Sequence, residues 1–62
     1  MVSTAEVLEA IKGISLPKSK ADIIRYAQSR NASKDVLDIL NKMPDQHFSS
    51  AADIVHAVGE VE

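Results

Sequence analysis

The chain has no cysteine and no tryptophan, and in 62 residues it holds one tyrosine, one phenylalanine, two glycines and two prolines. Without cysteine there is neither a disulfide nor a thiolate metal ligand to staple a fold of this size. No apolar run approaches the ~18 residues of a membrane-spanning helix. The N-terminal stretch also lacks a basic segment followed by an apolar one. Together with the missing cysteine, which suits a reducing compartment, these features predict a cytosolic protein.

Stability has to come from elsewhere. Surface scaling gives roughly 3,900 Å² for the folded chain against about 9,700 Å² extended. If about three fifths of the hidden area is apolar, burial contributes on the order of 85–90 kcal/mol, against about 93 kcal/mol for ordering the chain. The near-cancellation points to regular helices, good caps or a partner subunit as the source of the margin.

What is present is a small pattern that occurs twice. Thr4-Ala5-Glu6-Val7-Leu8-Glu9 is echoed by Ser33-Lys34-Asp35-Val36-Leu37-Asp38, and Ser19-Lys20-Ala21-Asp22-Ile23-Ile24 by Ser50-Ala51-Ala52-Asp53-Ile54-Val55. Each half reads as a capped helix, a proline-bearing connection and a second capped helix. The expected architecture is all-α: a four-helix domain over residues 1–62, built from two similar hairpins at about 3–30 and about 33–59 related by a pseudo-twofold axis.

The local signals are consistent along the chain. Ser3 or Thr4 caps the first helix, Glu6 complements its dipole, and Val7, Leu8, Ile11 and Ile14 form its inward stripe. The helix should stop near Lys12, where Gly13 can turn left-handed, and Pro17 keeps Leu16 extended. Ser19 and Asp22 open helix two, whose inner face is Ile23, Ile24 and Ala27 with Tyr26 alongside. Asn31 permits the left-handed exit, Ser33 caps helix three, and Val36, Leu37, Leu40 and Met43 line it, with Ile39 widening the stripe. Pro44 forbids continuation beyond about Lys42. Phe48 in the next connection should tuck under the fold as Leu16 does. Ser50 and Asp53 open helix four, lined by Ile54, Val55 and Val58; Ala51 and Ala57 permit close packing, and Gly59 should end the helix, leaving residues 60–62 frayed.

Leu16-Pro17-x-Ser19-Lys20-x-Asp22-Ile23-Ile24-x-x-Ala27, then Asn31-Ala32-x-x-x-Val36-Leu37-x-x-Leu40-x-x-Met43-Pro44, and finally Phe48-x-Ser50-x-x-Asp53-Ile54-x-x-Ala57-Val58-Gly59 together carry a resemblance. On these residues the chain resembles the uncharacterised prokaryotic family catalogued as domain of unknown function 2795. Asn31 stands where relatives are expected to carry glycine, a swap that a left-handed turn tolerates. The resemblance implies no activity. A weaker one, through Ser19-Lys20-x-Asp22-Ile23-Ile24-x-x-Ala27, is to SAP-type helical nucleic-acid modules.

Charge is uneven along the chain. Residues 1–11 are net −2 through Glu6 and Glu9; residues 12–34 are net +5; residues 35–62 are net −5, with six acids against Lys42. The basic segment offers Lys18, Lys20, Arg25, Arg30 and Lys34 as candidate nucleic-acid contacts. Opposing that use, helix three begins Lys34-Asp35 and carries Asp38, and Tyr26 is the only aromatic in the segment available for stacking. His47 and His56 match no zinc spacing and read as a loop and a helix-surface histidine. No nucleophile–base pair or sheltered carboxylate pair stands out, and the serines are accounted for as caps. The expectation is therefore a non-enzymatic protein-interaction or regulatory adaptor module that needs no cofactor or metal. Its partner would be another protein or a second copy, with Tyr26 and Ile39 as candidate interface residues, and weak nucleic-acid binding is the alternative.

Overall fold

Three of the four helices begin where a serine in extended conformation accepts a backbone N–H from three residues ahead. A computed structural model describes residues 2–61, and in it the Ser3, Ser19 and Ser33 hydroxyls each accept at 3.2 Å, from the N–H groups of Glu6, Asp22 and Val36. These caps start α1 (Thr4–Ala10), α2 (Lys20–Ser29) and α3 (Lys34–Lys42). At the fourth helix, α4 (Ala51–Val61), Asp53 takes part in two capping bonds. The Asp53 N–H donates to the Ser50 hydroxyl at 3.4 Å, and the Asp53 carboxylate accepts from the Ser49 N–H at 3.0 Å. Each such cap satisfies amides that the helix itself leaves unpaired, typically worth about 1 kcal/mol.

The chain leaves its helices as the residue types require. Gly13 (φ 86°) and Asn31 (φ 59°) take the left-handed conformation after α1 and α2. Met43, followed by Pro44, leaves α3 in extended geometry. Between the helices of each half lies a two-residue strand, β1 (Lys18–Ser19) and β2 (His47–Phe48). They pair antiparallel, with Lys18 opposite Phe48 and Ser19 opposite His47. The Lys20 N–H donating to the Gln46 carbonyl at 3.2 Å extends this junction. The protein is thus all-α in class, with one small ladder tying its two connections together.

The twofold order of elements, helix–strand–helix twice over, follows the sequence echo, but the helix partners are not those of two separate hairpins. The main pairings run across the halves: α2 packs on α3 and α1 packs on α4, while α3 also touches α1 and α4. The beginning of α2 lies beside the end of α3, since Lys20, Ala21 and Ile24 share a small hollow with Asn41 and Asp45.

The core is Val2, Val7, Ile11, Ile23, Ala27, Val36, Leu40, Met43, Phe48, Ile54, Ala57 and Val58, drawn from all four helices and β2. Fully burying each large member contributes roughly 1.5–3 kcal/mol. Phe48 is 0% exposed and is the largest of them, whereas Leu16, its expected counterpart, is only half-buried against the core. The accessible surface, 3841 Å², matches the scaling value for a chain of this mass.

Three local expectations need correction. Leu8 is exposed, at 36%, rather than inward. Val7 and Ile11 lie on the buried side of the helix, and the ~100° step from Val7 to Leu8 carries Leu8 off that face. The first helix closes at Ala10, with a turn over residues 11–13, slightly earlier than Lys12. Gly59 does not end α4, which continues through Glu60 to Val61. Val61 is half-buried seven residues after Ile54, so packing of the last turn outweighs the intrinsic cost of glycine in a helix. Glu62 of the expected frayed tail lies outside the described residues.

Candidate functional site

A concavity lies where α1 crosses the α2–α3 turn. Ala5, Glu6, Glu9 and Ala10 supply one wall, and Arg30, Asn31, Ala32 and Ser33 the other, with Val36 beneath. Its volume is about 530 Å³, and it is a shallow trough open to solvent rather than an enclosed cavity. The left-handed Asn31 and the Ser33 cap shape the turn that makes one wall. The spacing Ala5, Glu6, Glu9, Ala10 keeps four residues on adjoining faces of α1.

One end of this groove is fixed by a clasp between α2 and the C-terminal end of α1. The Tyr26 hydroxyl donates to the Lys12 carbonyl at 2.7 Å. The Arg30 guanidinium approaches the Glu9 carbonyl at 3.5 Å and sits 5.9 Å from the centre of the Tyr26 ring. α1 has no basic residue in its own last turn, so Arg30 supplies the positive charge that a helix C-terminus favours. The ring contact adds a cation–π component.

The interface candidates read from the sequence fall in different places. Tyr26 is half-buried and engaged in the clasp; Ile39 is half-buried on α3 and packed against the core. The exposed large apolar side chain among the described residues is Leu8, which the sequence pattern had assigned to the interior.

The five basic candidates are dispersed. Lys20, Arg25 and Arg30 step about 140° apart around the α2 axis, so they point to three sides rather than forming one stripe. Arg25 pairs with Asp22 at 3.2 Å and Lys34 with Asp38 at 3.0 Å, both on exposed surface. The hydrogen bond to Asp38, reinforced by the charges of Asp38 and Asp35, raises the pKa of Lys34 above its ordinary value. Arg30 is held by the clasp, and Lys18 and Lys20 are half-buried around the ladder. Exposed Asp35 and Asp38 lie on the helix that would have to enter a groove of duplex.

His47 is exposed on β2, and His56 is exposed on α4 with Nε2 3.6 Å from a Glu60 carboxylate oxygen. Among the described residues, no three histidine, aspartate or glutamate side chains gather as metal ligands would. No helix among them is long and apolar enough to cross a membrane.

The geometry therefore centres on a groove rather than a reactive cluster. A family model described as "Protein of unknown function (DUF2795)" matches residues 2–55. The chain belongs to that family. The match takes in α1, the clasp, the groove and the ladder, and reaches into the first half of α4. No curated protein and no solved structure matches the chain.

No sequence pattern marks the groove, because its walls are partly alanine, Val36 reads as core, and Glu6 reads as an ordinary first-turn acid. The one available hint was the pairing of Glu6 with Glu9 beside Ala5 and Ala10. That arrangement is a like-charged pair bounded by side chains too short to cover it.

Proposed function

We propose that this member of DUF2795 is a small non-enzymatic binding module for another protein, a regulatory adaptor in which the α1 groove receives the partner. The observation that supports this most is the groove itself, whose floor is small and apolar and whose walls are charged. Such a surface suits a polypeptide that lies across it, since a small molecule in an open trough would keep much of its hydration. The four cap serines support a non-catalytic reading, because their hydroxyls are committed to backbone amides. Half-buried Tyr26 and Ile39 and exposed Leu8 leave apolar surface for a second contact, which a second copy of the chain would also fit. The same reading has the protein working in the cytoplasm.

The alternative, a weak nucleic-acid binder using Lys18, Lys20, Arg25, Arg30 and Lys34, is less well supported. Those cations point in different directions, and two of them are paired to acids. Affinity capture from native lysate with and without nuclease separates the two readings, with sedimentation velocity to register a second copy. Nuclease-resistant recovery of a discrete protein, or a concentration-dependent dimer, is the expected result. Recovery that disappears with nuclease, and duplex binding that falls steeply with salt, would transfer the assignment to nucleic acid.

A further inference from the structure

We propose that two copies of this chain exchange halves: the turn between α2 and α3 opens into helix, and residues 2–29 of each copy pack on residues 34–61 of the other. The partner is a second copy, and the surface it uses is the buried boundary between the halves. The main pairings, α2 on α3, α1 on α4 and β1 with β2, all join one half to the other. Each can be re-formed with the matching half of a second copy while the interior keeps its packing. Bonds inside a half, such as the one from the Tyr26 hydroxyl to the Lys12 carbonyl, travel with it.

The hinge is marked by its residue types. Gly13 and Pro17 stand between α1 and α2, and Pro44 between α3 and α4, whereas Arg30-Asn31-Ala32-Ser33 contains neither glycine nor proline. Among the described connections it is the one whose residues all fit a continuous helix. Asn31 is held at φ 59° in the closed turn and returns to ordinary helical geometry when the turn straightens. Straightening also pairs amides at the start of α3 with carbonyls at the end of α2, groups that two separate helix ends leave without intrahelical partners. Against this, the Ser33 cap on the Val36 N–H is lost, and Arg30 and Lys34 come to lie one turn apart as a like-charged pair. These opposing effects are similar in size, so concentration decides between the two forms.

Geometry makes the second copy obligatory. A helix running from Lys20 to Lys42 is about 34 Å long at 1.5 Å per residue. The closed monomer measures 25 Å in its longest direction, with the start of α2 lying beside the end of α3. A straightened chain therefore cannot keep α2 against its own α3, and two such chains laid antiparallel supply each other's missing neighbour. Arg30, Asn31, Ala32 and Ser33 also form one wall of the α1 trough, so exchange dismantles it. The inference holds whatever that trough receives.

The test uses the full chain with one pair of cysteines, Ala21→Cys and Asn41→Cys, at exposed positions that line a common hollow between α2 and α3. The absence of native cysteine leaves these thiols as the sole targets of a short bismaleimide. In a closed monomer, or in a dimer of closed monomers, the reagent joins the two within one chain. In an exchanged dimer it joins two chains, and the product runs as a covalent dimer on a denaturing gel. Sedimentation velocity supplies the dimer dissociation constant.

The expected result is a dimer that grows with concentration and cross-links between chains. Asn31→Ala, which disfavours the left-handed turn and favours helix, should shift the balance about tenfold per chain. Each dimer holds two hinges, so its dissociation constant should fall about a hundredfold. Asn31→Gly should weaken the dimer by about tenfold or more, and Ser33→Ala, which removes a cap present only in the closed form, should strengthen it. A dimer cross-linked only within chains would overturn the inference, as would a monomer that persists in Asn31→Ala at the highest attainable concentration. Should Asn31→Ala lose its helicity, Ser33→Ala and Asn31→Gly decide, and equal dimer strength in those two would refute exchange. Capture of a different protein by the wild type bears on the adaptor reading alone, which stands or falls separately.

Discussion

Replacing Gly13 with alanine should destabilise the domain through two effects that a second substitution can separate. At φ 86° the residue occupies the left-handed region, which costs an ordinary L-residue roughly 1–2 kcal/mol. An alanine Cβ would also lie 3.1 Å from the Tyr26 hydroxyl oxygen, too close for comfort, so the tyrosine has to shift. Moving it weakens the 2.7 Å hydrogen bond to the Lys12 carbonyl, whose net worth is about 0.5–1.5 kcal/mol. The expected total for Gly13→Ala is about 1.5–3 kcal/mol, and for Tyr26→Phe alone about 0.5–1.5 kcal/mol. Because the first change already disturbs what the second removes, the double variant should be more stable than the sum predicts, by about 0.5–1 kcal/mol. Urea denaturation followed by far-UV circular dichroism measures all four corners of the cycle. In a domain of this size each kcal/mol also moves the melting temperature by about 4–8 °C. Strict additivity would show that the hydroxyl does not rest against Gly13. A stabilising Gly13→Ala would show that the residue is not left-handed, since an alanine that fits without strain gains stability from a less flexible unfolded chain.

Other changes check separate parts of the fold. Gly59→Ala should raise stability by about 0.5–1 kcal/mol, because Gly59 lies inside α4 with open space where a Cβ would go; a loss in thermal denaturation would restore its role as a helix stop. Leu8→Gln should alter monomer stability by no more than about 0.5 kcal/mol, while Ile23→Ala should cost about 2–5 kcal/mol and abolish the cooperative transition. Similar losses from the two would place Leu8 back in the core. Ser33→Ala should cost about 1 kcal/mol in chemical denaturation by removing the cap on α3, and Ser33→Asp should keep most of it; equal losses would argue against capping.

The features legible in the sequence are those decided within a few residues. Ser3, Ser19 and Ser33 act as caps, Gly13 and Asn31 turn left-handed, and Pro44 follows the end of α3, each for a reason local to its own segment. Features decided by distant contacts were harder to read. Val7 and Leu8 are equally apolar neighbours, and only the approach of α4 and α3 to α1 selects which one is buried. Gly59 carries the same intrinsic preference at a helix end as in a helix interior weakened by it, and the half-buried Val61 beyond it decides between them. The strands are two residues long, too short to show alternation, and they exist because Lys18–Ser19 meets His47–Phe48 from the other half. The groove depends on α1 lying across a turn some twenty residues farther along, so no local pattern announced it.

The crossed helix partners have a consequence for how the molecule can come apart. Cutting at the turn between α2 and α3 would strip α2 of its main neighbour and α1 of the helix it packs on, and would leave α3 and α4 only their contact with each other. Each fragment would then hold a greasy surface with no home, and neither should be helical alone. Mixed together they should recover their circular dichroism, as two strangers that share a single interior.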